Sequence, residues 1–125
     1  MRLEYLPEGS PDCPLIRLFD FVPAEAAALG AAASALAAGQ LERVAVHELP
    51  GVAPVGGCEL VFRLRGRDRA VVRVGPAAFE YRLTADTWDN VAGLIEPFAA
   101  GADGHQWLAE APGQVSLLLS ASGQW

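Results

Sequence analysis

The sequence is poor in the side chains that carry most enzyme chemistry. Among its 125 residues there are two cysteines, two histidines and no lysine, so that all nine basic side chains are arginine. Two cysteines are too few for a disulfide scaffold, and we expect both to be free thiols. The absence of lysine, together with abundant alanine and glycine, is typical of a GC-rich bacterial genome, which is the origin we expect.

The sequence also lacks a long hydrophobic run. Its most apolar stretch, residues 24–38, contains Glu25 and is shorter than the about 20 apolar residues that a membrane helix needs. The first residues have no apolar segment of the secretory type. We therefore expect a cytoplasmic protein that does not bind a membrane.

Motifs for metals, phosphates and nucleophilic catalysis are missing as well. No CxxC, HxH or HExxH spacing is present. Gly56-Gly57 precedes a predicted strand, whereas a glycine-rich phosphate-binding loop precedes a helix. We predict no metal and no cofactor. His47 lies in a predicted strand over residues 41–49, where Val44 and Val46 occupy the buried face, so we expect His47 to face water or the rim of the sheet.

The remaining composition is that of one globular domain over residues 1–125. Apolar residues make up 52% and charged residues 19% of the chain. Alternating patterns predict strands at residues 2–6, 15–19, 41–49, 58–65, 70–74, 79–83, 105–109 and 115–120. Two helices are expected, one from Pro23 to about Gly39 and one that begins after Thr84 and is kinked or ended by Pro97.

These elements predict an α+β fold, with a mainly antiparallel sheet of about six to eight strands and two helices packed on one face. The expected core residues are Leu15, Ile16, Leu18, Leu60, Phe62, Val72, Phe79, Tyr81, Trp88, Val91, Ile95 and Phe98. A three-residue turn, Gly66-Arg67-Asp68, would join two of the strands in a hairpin and pair Leu64 with Ala70.

The predicted hairpin carries the most distinctive charge pattern. Residues 63–73 hold five arginines and one acid, a local charge of +4, whereas the rest of the chain sums to −10. Acids surround this one basic segment, which argues against general nucleic-acid binding. We predict a binding site for another protein with an acidic surface, formed by Arg63, Arg65, Arg69 and Arg73. The alternative is that acidic neighbours and water satisfy these arginines.

Two further interpretations stay open at this point. The loop Gly9–Pro14, with Asp12 and Cys13, could form the site of a small enzyme or a ligand-binding domain. The alanine-rich first helix has Gly30, Ser34 and Ala38 at four-residue spacing, which leaves a second copy of the chain open as a partner. The segment 21–39 also aligns with 83–101 at a constant offset, and the sequence does not decide whether this is a duplication. Non-enzymatic protein binding remains the favoured function.

Overall fold

The computed structural model describes all residues, 1–125, and contains two α-helices and nine β-strands. The helices are α1 (Pro23–Ala37) and α2 (Ala85–Ala99). The strands are β1 (Arg2–Leu6), β2 (Leu15–Phe19), β3 (Arg43–Ala45), β4 (Ala53–Pro54), β5 (Glu59–Leu64), β6 (Val72–Gly75), β7 (Ala78–Leu83), β8 (His105–Ala109) and β9 (Ser116–Ser120). The α+β class with two helices is therefore as predicted from the sequence.

The strands form two mixed sheets where one mainly antiparallel sheet was expected. Sheet A has the order β4-β1-β2-β9-β8, and sheet B has the order β3-β5-β7-β6. Four of the pairs are antiparallel, but β1–β4, β2–β9 and β5–β7 are parallel. The expected sheet of six to eight strands was thus only roughly right, because parallel neighbours far apart in sequence leave no local signal.

The two halves of the chain repeat the same order of elements. Without the two-residue strand β4, each half has two strands, a helix and two strands: β1, β2, α1, β3 and β5 in the first half, and β6, β7, α2, β8 and β9 in the second. The helices α1 and α2 are both 15 residues long and start 62 positions apart. The first two strands of each half pair with the last two of the other half, through the parallel contacts β2–β9 and β5–β7. The similarity between segments 21–39 and 83–101 thus coincides with a structural repeat.

Local chemistry explains where the helices begin and end. Pro23 is the first residue of α1, and the Glu25 side chain accepts a hydrogen bond from Val22 N–H at 3.0 Å. The amino group of Met1 and this backbone N–H hold the pKa of Glu25 below its usual value. After α1, Gly39 adopts a φ of +72°, a conformation that glycine tolerates without strain. Pro97 lies in the last turn of α2.

One hydrophobic core is formed by side chains from the inner faces of the two sheets and from the two helices. Eleven of the twelve predicted core residues are buried, and only Val72 is half-exposed. At the centre, Trp88 packs on Phe62 with ring centroids 4.6 Å apart and donates from Nε1 to the carbonyl oxygen of Arg63. The helices contact each other directly, and a Cβ at Gly30 would lie 3.4 Å from the Ile95 side chain.

The predicted hairpin between β5 and β6 is wrong. β7 lies between these strands, so that Leu64 pairs with Leu83 in parallel register where Ala70 was expected. The physical reason is burial: β5 buries three consecutive residues, Leu60 to Phe62, which requires cover on both faces and neighbours on both sides. β6, in contrast, exposes Val74 and is an edge strand.

The predicted strand around His47 is too long, and of the two predicted environments, water or a rim, the ring's partial burial excludes open water. The strand ends at Ala45 and a 3₁₀ turn follows over Val46–Glu48, so the alternation on which the prediction depended stops before His47. The ring is only 14% exposed, and its Nδ1 lies 3.1 Å from the backbone nitrogen of Leu60. His47 thus helps to connect the turn to β5 and does not face open water.

Candidate functional site

The segment that was expected to turn a hairpin is a crossover loop, residues 65–71, over the end of β7. Arg65 N–H donates to the carbonyl of Leu83, and Arg69 N–H donates to the carbonyl of Arg82, both at 2.9 Å. These bonds continue the sheet past the end of β5. The loop is therefore held to β7 by its backbone, and its arginine side chains form no ion pair.

Asp68 fastens the same loop to the start of α2. Its Oδ1 accepts from Thr84 N–H at 2.8 Å, and its Oδ2 accepts from the Thr87 hydroxyl at 2.7 Å. These hydrogen bonds hold the pKa of the Asp68 carboxyl below its usual value. The one acid within the basic segment is thus directed at the helix N-terminus, where a carboxylate is favourable.

The loop arginines line a groove of about 530 Å³, which we call the arginine groove. Its lining residues are Arg65, Gly66, Arg67, Arg69 and Arg82. No acidic side chain lines it, and none of the chain's ion pairs involves Arg65, Arg67 or Arg69. Four guanidinium groups around one open groove create a site that attracts anions.

Arg63 does not line this groove but connects to it through an acid. Its Nε is shielded from solvent and lies 3.0 Å from Glu80 Oε2, without the alignment of a hydrogen bond. Arg82 contacts the other oxygen of Glu80 at 2.9 Å. Burial raises the pKa of Glu80, but the two arginines outweigh it and hold this pKa below its usual value.

Arg73 is separated from the other predicted site residues. It lies on edge strand β6, donates to the carbonyls of Gly75 and Pro76, and places its guanidinium 5.6 Å from the ring centroid of Tyr5. Of the four predicted site residues, Arg65 and Arg69 line the arginine groove. Arg63 does not line it but is linked to the lining residue Arg82 through Glu80, and Arg73 lies outside the groove.

Sequence reasoning missed Arg82 and the row of arginines to which it belongs. Arg43, Arg63 and Arg82 are direct neighbours on β3, β5 and β7, with like charges side by side. Such neighbours are destabilising unless an acid intervenes, and Glu80 supplies that acid. Only the register of strands distant in sequence reveals this row, so no local pattern could have found it.

A second groove of about 680 Å³ lies beside sheet A, and we call it the tryptophan groove. It is lined by Ser10, Asp12, His105, Trp107, Glu110, Gly123, Gln124 and Trp125. Trp125 Nε1 donates to Asp12 Oδ2 at 2.8 Å. Part of the predicted loop, Gly9–Pro14, thus takes part in a concave surface with a histidine and two carboxylates.

The two cysteines lie outside the tryptophan groove. Cys13 lines a neighbouring groove, which shares Asp12 and Glu110 with the first, and its Sγ lies 3.5 Å from the Ser10 hydroxyl. Cys58 is buried, and burial raises the pKa of its thiol to about 11. Cys13 and His105 therefore do not line the same cavity.

Comparisons with protein-family models, with curated proteins and with solved structures gave no match. Neither α-helix has the length and hydrophobicity that a membrane-spanning helix needs. No group of three or more His, Cys, Asp or Glu side chains is placed to hold a metal ion. The surface geometry alone is thus the basis for a functional proposal.

Proposed function

We propose that this protein is a non-enzymatic binding domain that recognises an acidic surface of another protein through the arginine groove. The observation that carries this proposal is that four arginines and no acidic side chain line the groove, and that three of them, Arg65, Arg67 and Arg69, form no ion pair. An arginine fork pairs with a carboxylate through two parallel hydrogen bonds, which gives geometric specificity as well as attraction.

The charge distribution of the whole chain supports the same function. The formal net charge is −6, so most of the surface repels an acidic partner. The arginine groove is the exception, and a partner would be directed to it as it approaches. Such electrostatic complementarity increases the association rate and fixes orientation more than it increases affinity.

The backbone of the groove is organised before binding. The loop is fixed by the bonds of Arg65 and Arg69 to β7 and by the contacts of Asp68 with α2. Ordering a loop at an interface costs binding free energy, and a loop that is already ordered avoids much of this cost. The remaining cost of ordering is then mainly that of the long arginine side chains.

The test uses a fluorescein-labelled peptide of alternating glutamate and glycine as a model of an acidic surface. Its anisotropy should rise in the presence of the wild-type protein at low salt and should fall again as salt is added. Replacing Arg65, Arg67 and Arg69 by serine should weaken binding about tenfold, because three charged contacts of about 0.5 kcal/mol each are lost. The melting temperature should hardly change.

The matched comparison uses two single variants with the same change of charge. Arg67→Ser removes a groove arginine, and Arg73→Ser removes an exposed arginine outside the groove. We expect Arg67→Ser to weaken peptide binding and Arg73→Ser to leave it nearly unchanged. Equal effects of the two variants would show that only net charge matters and would contradict a defined site.

A second candidate function is ligand binding at the loop Gly9–Pro14. The observation in its favour is that Asp12 lines the tryptophan groove together with His105 and Glu110. For an enzyme with a cysteine nucleophile the support is weaker, since Cys13 contacts Ser10 and lines a different groove from His105. Ligand binding is therefore better supported at this surface than catalysis by Cys13.

A further inference from the structure

One wall of the tryptophan groove is formed by the edge strand β8. His105 and Trp107 are two positions apart on this strand and therefore lie on the same face of it. Their rings are 6.3 Å apart in an edge-to-face arrangement, and Glu110 follows directly after the strand. This wall thus offers two aromatic rings and one carboxylate.

The opposite wall is formed by Asp12 and by the segment 121–125, which lies against the outer face of sheet A. Arg17 Nη1 donates to the carbonyl of Gly123, and the Ser120 hydroxyl donates to the carbonyl of Gln124. The segment ends with the indole of Trp125 bonded to one oxygen of Asp12, which leaves the other carboxylate oxygen available to a ligand.

The charge of this groove is opposite to that of the arginine groove. Asp12 and Glu110 line it and are exposed, whereas no arginine lines it. Arg17, which contacts the same C-terminal segment, is engaged in an ion pair with Glu4 at 2.6 Å and lies over the ring of Phe19. No arginine is therefore free to pair with an anion in this groove.

We propose that the tryptophan groove binds an organic cation, namely an alkylammonium or guanidinium group. The faces of tryptophan rings attract such cations, and nearby carboxylates add a direct charge interaction. The group could belong to a free small molecule or to a side chain of a basic peptide. This proposal does not depend on the function proposed for the arginine groove, which lies on the other sheet.

The test uses the protein's own tryptophans. Trp107 and Trp125 line the groove, while Trp88 is buried in the core and reports only on the fold. We expect choline and agmatine each to produce a saturable change in tryptophan emission. The neutral analogue of choline, 3,3-dimethylbutan-1-ol, has nearly the same shape, and we expect it to produce no saturable change. Absence of saturation with both cations, or an equal response to the neutral analogue, would overturn the proposal.

Charge-removing variants locate the binding site. Asp12→Asn keeps an acceptor for the Trp125 indole, and Glu110→Gln changes an exposed side chain, so both variants should fold. Together they should weaken choline binding about tenfold, because two exposed charge contacts are lost. Glu48→Gln removes an exposed acid that does not line the groove and should have no effect. If it weakens binding as much as the double variant does, the groove is not the site.

A last comparison distinguishes the source of the cation. An arginine tripeptide with blocked ends carries guanidinium groups like that of agmatine, and its backbone can form additional contacts with the protein. Tighter binding of the peptide supports a polypeptide ligand, and tighter binding of agmatine supports a free small molecule. Either result supports the cation site. The site would be contradicted if the variants Trp107→Phe and Trp125→Phe both retained the full wild-type affinity for choline and agmatine.

Discussion

Glu80 is the side chain on which the arrangement of arginines in sheet B depends most. It is 14% exposed and contacts Arg63 at 3.0 Å and Arg82 at 2.9 Å. Exposed ion pairs contribute about 0–1 kcal/mol, whereas breaking a buried pair costs about 3–5 kcal/mol. Glu80 lies between these limits, so we expect Glu80→Gln to destabilise the fold by about 2 kcal/mol at pH 7. For a chain of this size that lowers the melting temperature by about 6–10 °C.

The dependence of this loss on pH makes the prediction sharper. The folded-state pKa of Glu80 lies below its unfolded value of about 4.3, so its stabilising effect is complete above that pH. The effect is lost as the pH falls through the folded pKa, because the wild-type carboxyl is then also uncharged. Urea denaturation followed by tryptophan fluorescence should thus show a difference between wild type and variant that is largest at pH 7 and becomes smaller as the pH is lowered from about 4.3 towards pH 3. A difference that stays constant over this range would refute the reasoning.

Two further predictions follow from the loop and from the thiols. Asp68→Ala should lower the free energy of unfolding by about 1–2 kcal/mol, because two hydrogen bonds to a charged acceptor are lost; an unchanged thermal melt would contradict this anchoring role. Burial raises the pKa of the Cys58 thiol to about 11, so a thiol reagent at pH 8 should modify the half-buried Cys13 first. Equal reaction rates of the two thiols would contradict the burial of Cys58.

The sequence predicted those parts of the fold that depend on local chemistry. Strand 15–19 and the starts of both helices were located correctly, since burial pattern, Pro23 and the Thr84 cap act within a few residues. The hairpin register failed because it assumed that consecutive strands pair. The unbroken apolar run Leu60 to Phe62 already indicated a central strand, and weighing it more heavily would have favoured another partner for β5.

The candidate site shows the same division between local and distant information. The charge of the segment 63–73 is visible in the sequence, but its shape is not. Which arginines of this segment are ion-paired and which line the groove depends on β7, because β7 brings Glu80 and Arg82 beside Arg63. Likewise, Asp12 was noticed as part of a loop, whereas its neighbours in the tryptophan groove come from residues about 100 positions further along the chain.

The exchange of strand pairs between the two halves has a consequence for synthesis on the ribosome. The contact between β2 and β9 in sheet A joins Leu15 to Ser116, so about 100 further residues must be synthesised before the partner of β2 exists. Until then the first two strands have one unpaired edge, and such edges promote aggregation. Neither half has a complete sheet of its own, so both halves are needed before either sheet is complete. A stalled or shortened nascent chain would therefore expose incomplete sheets with unpaired, aggregation-prone edges to the cell's quality-control machinery.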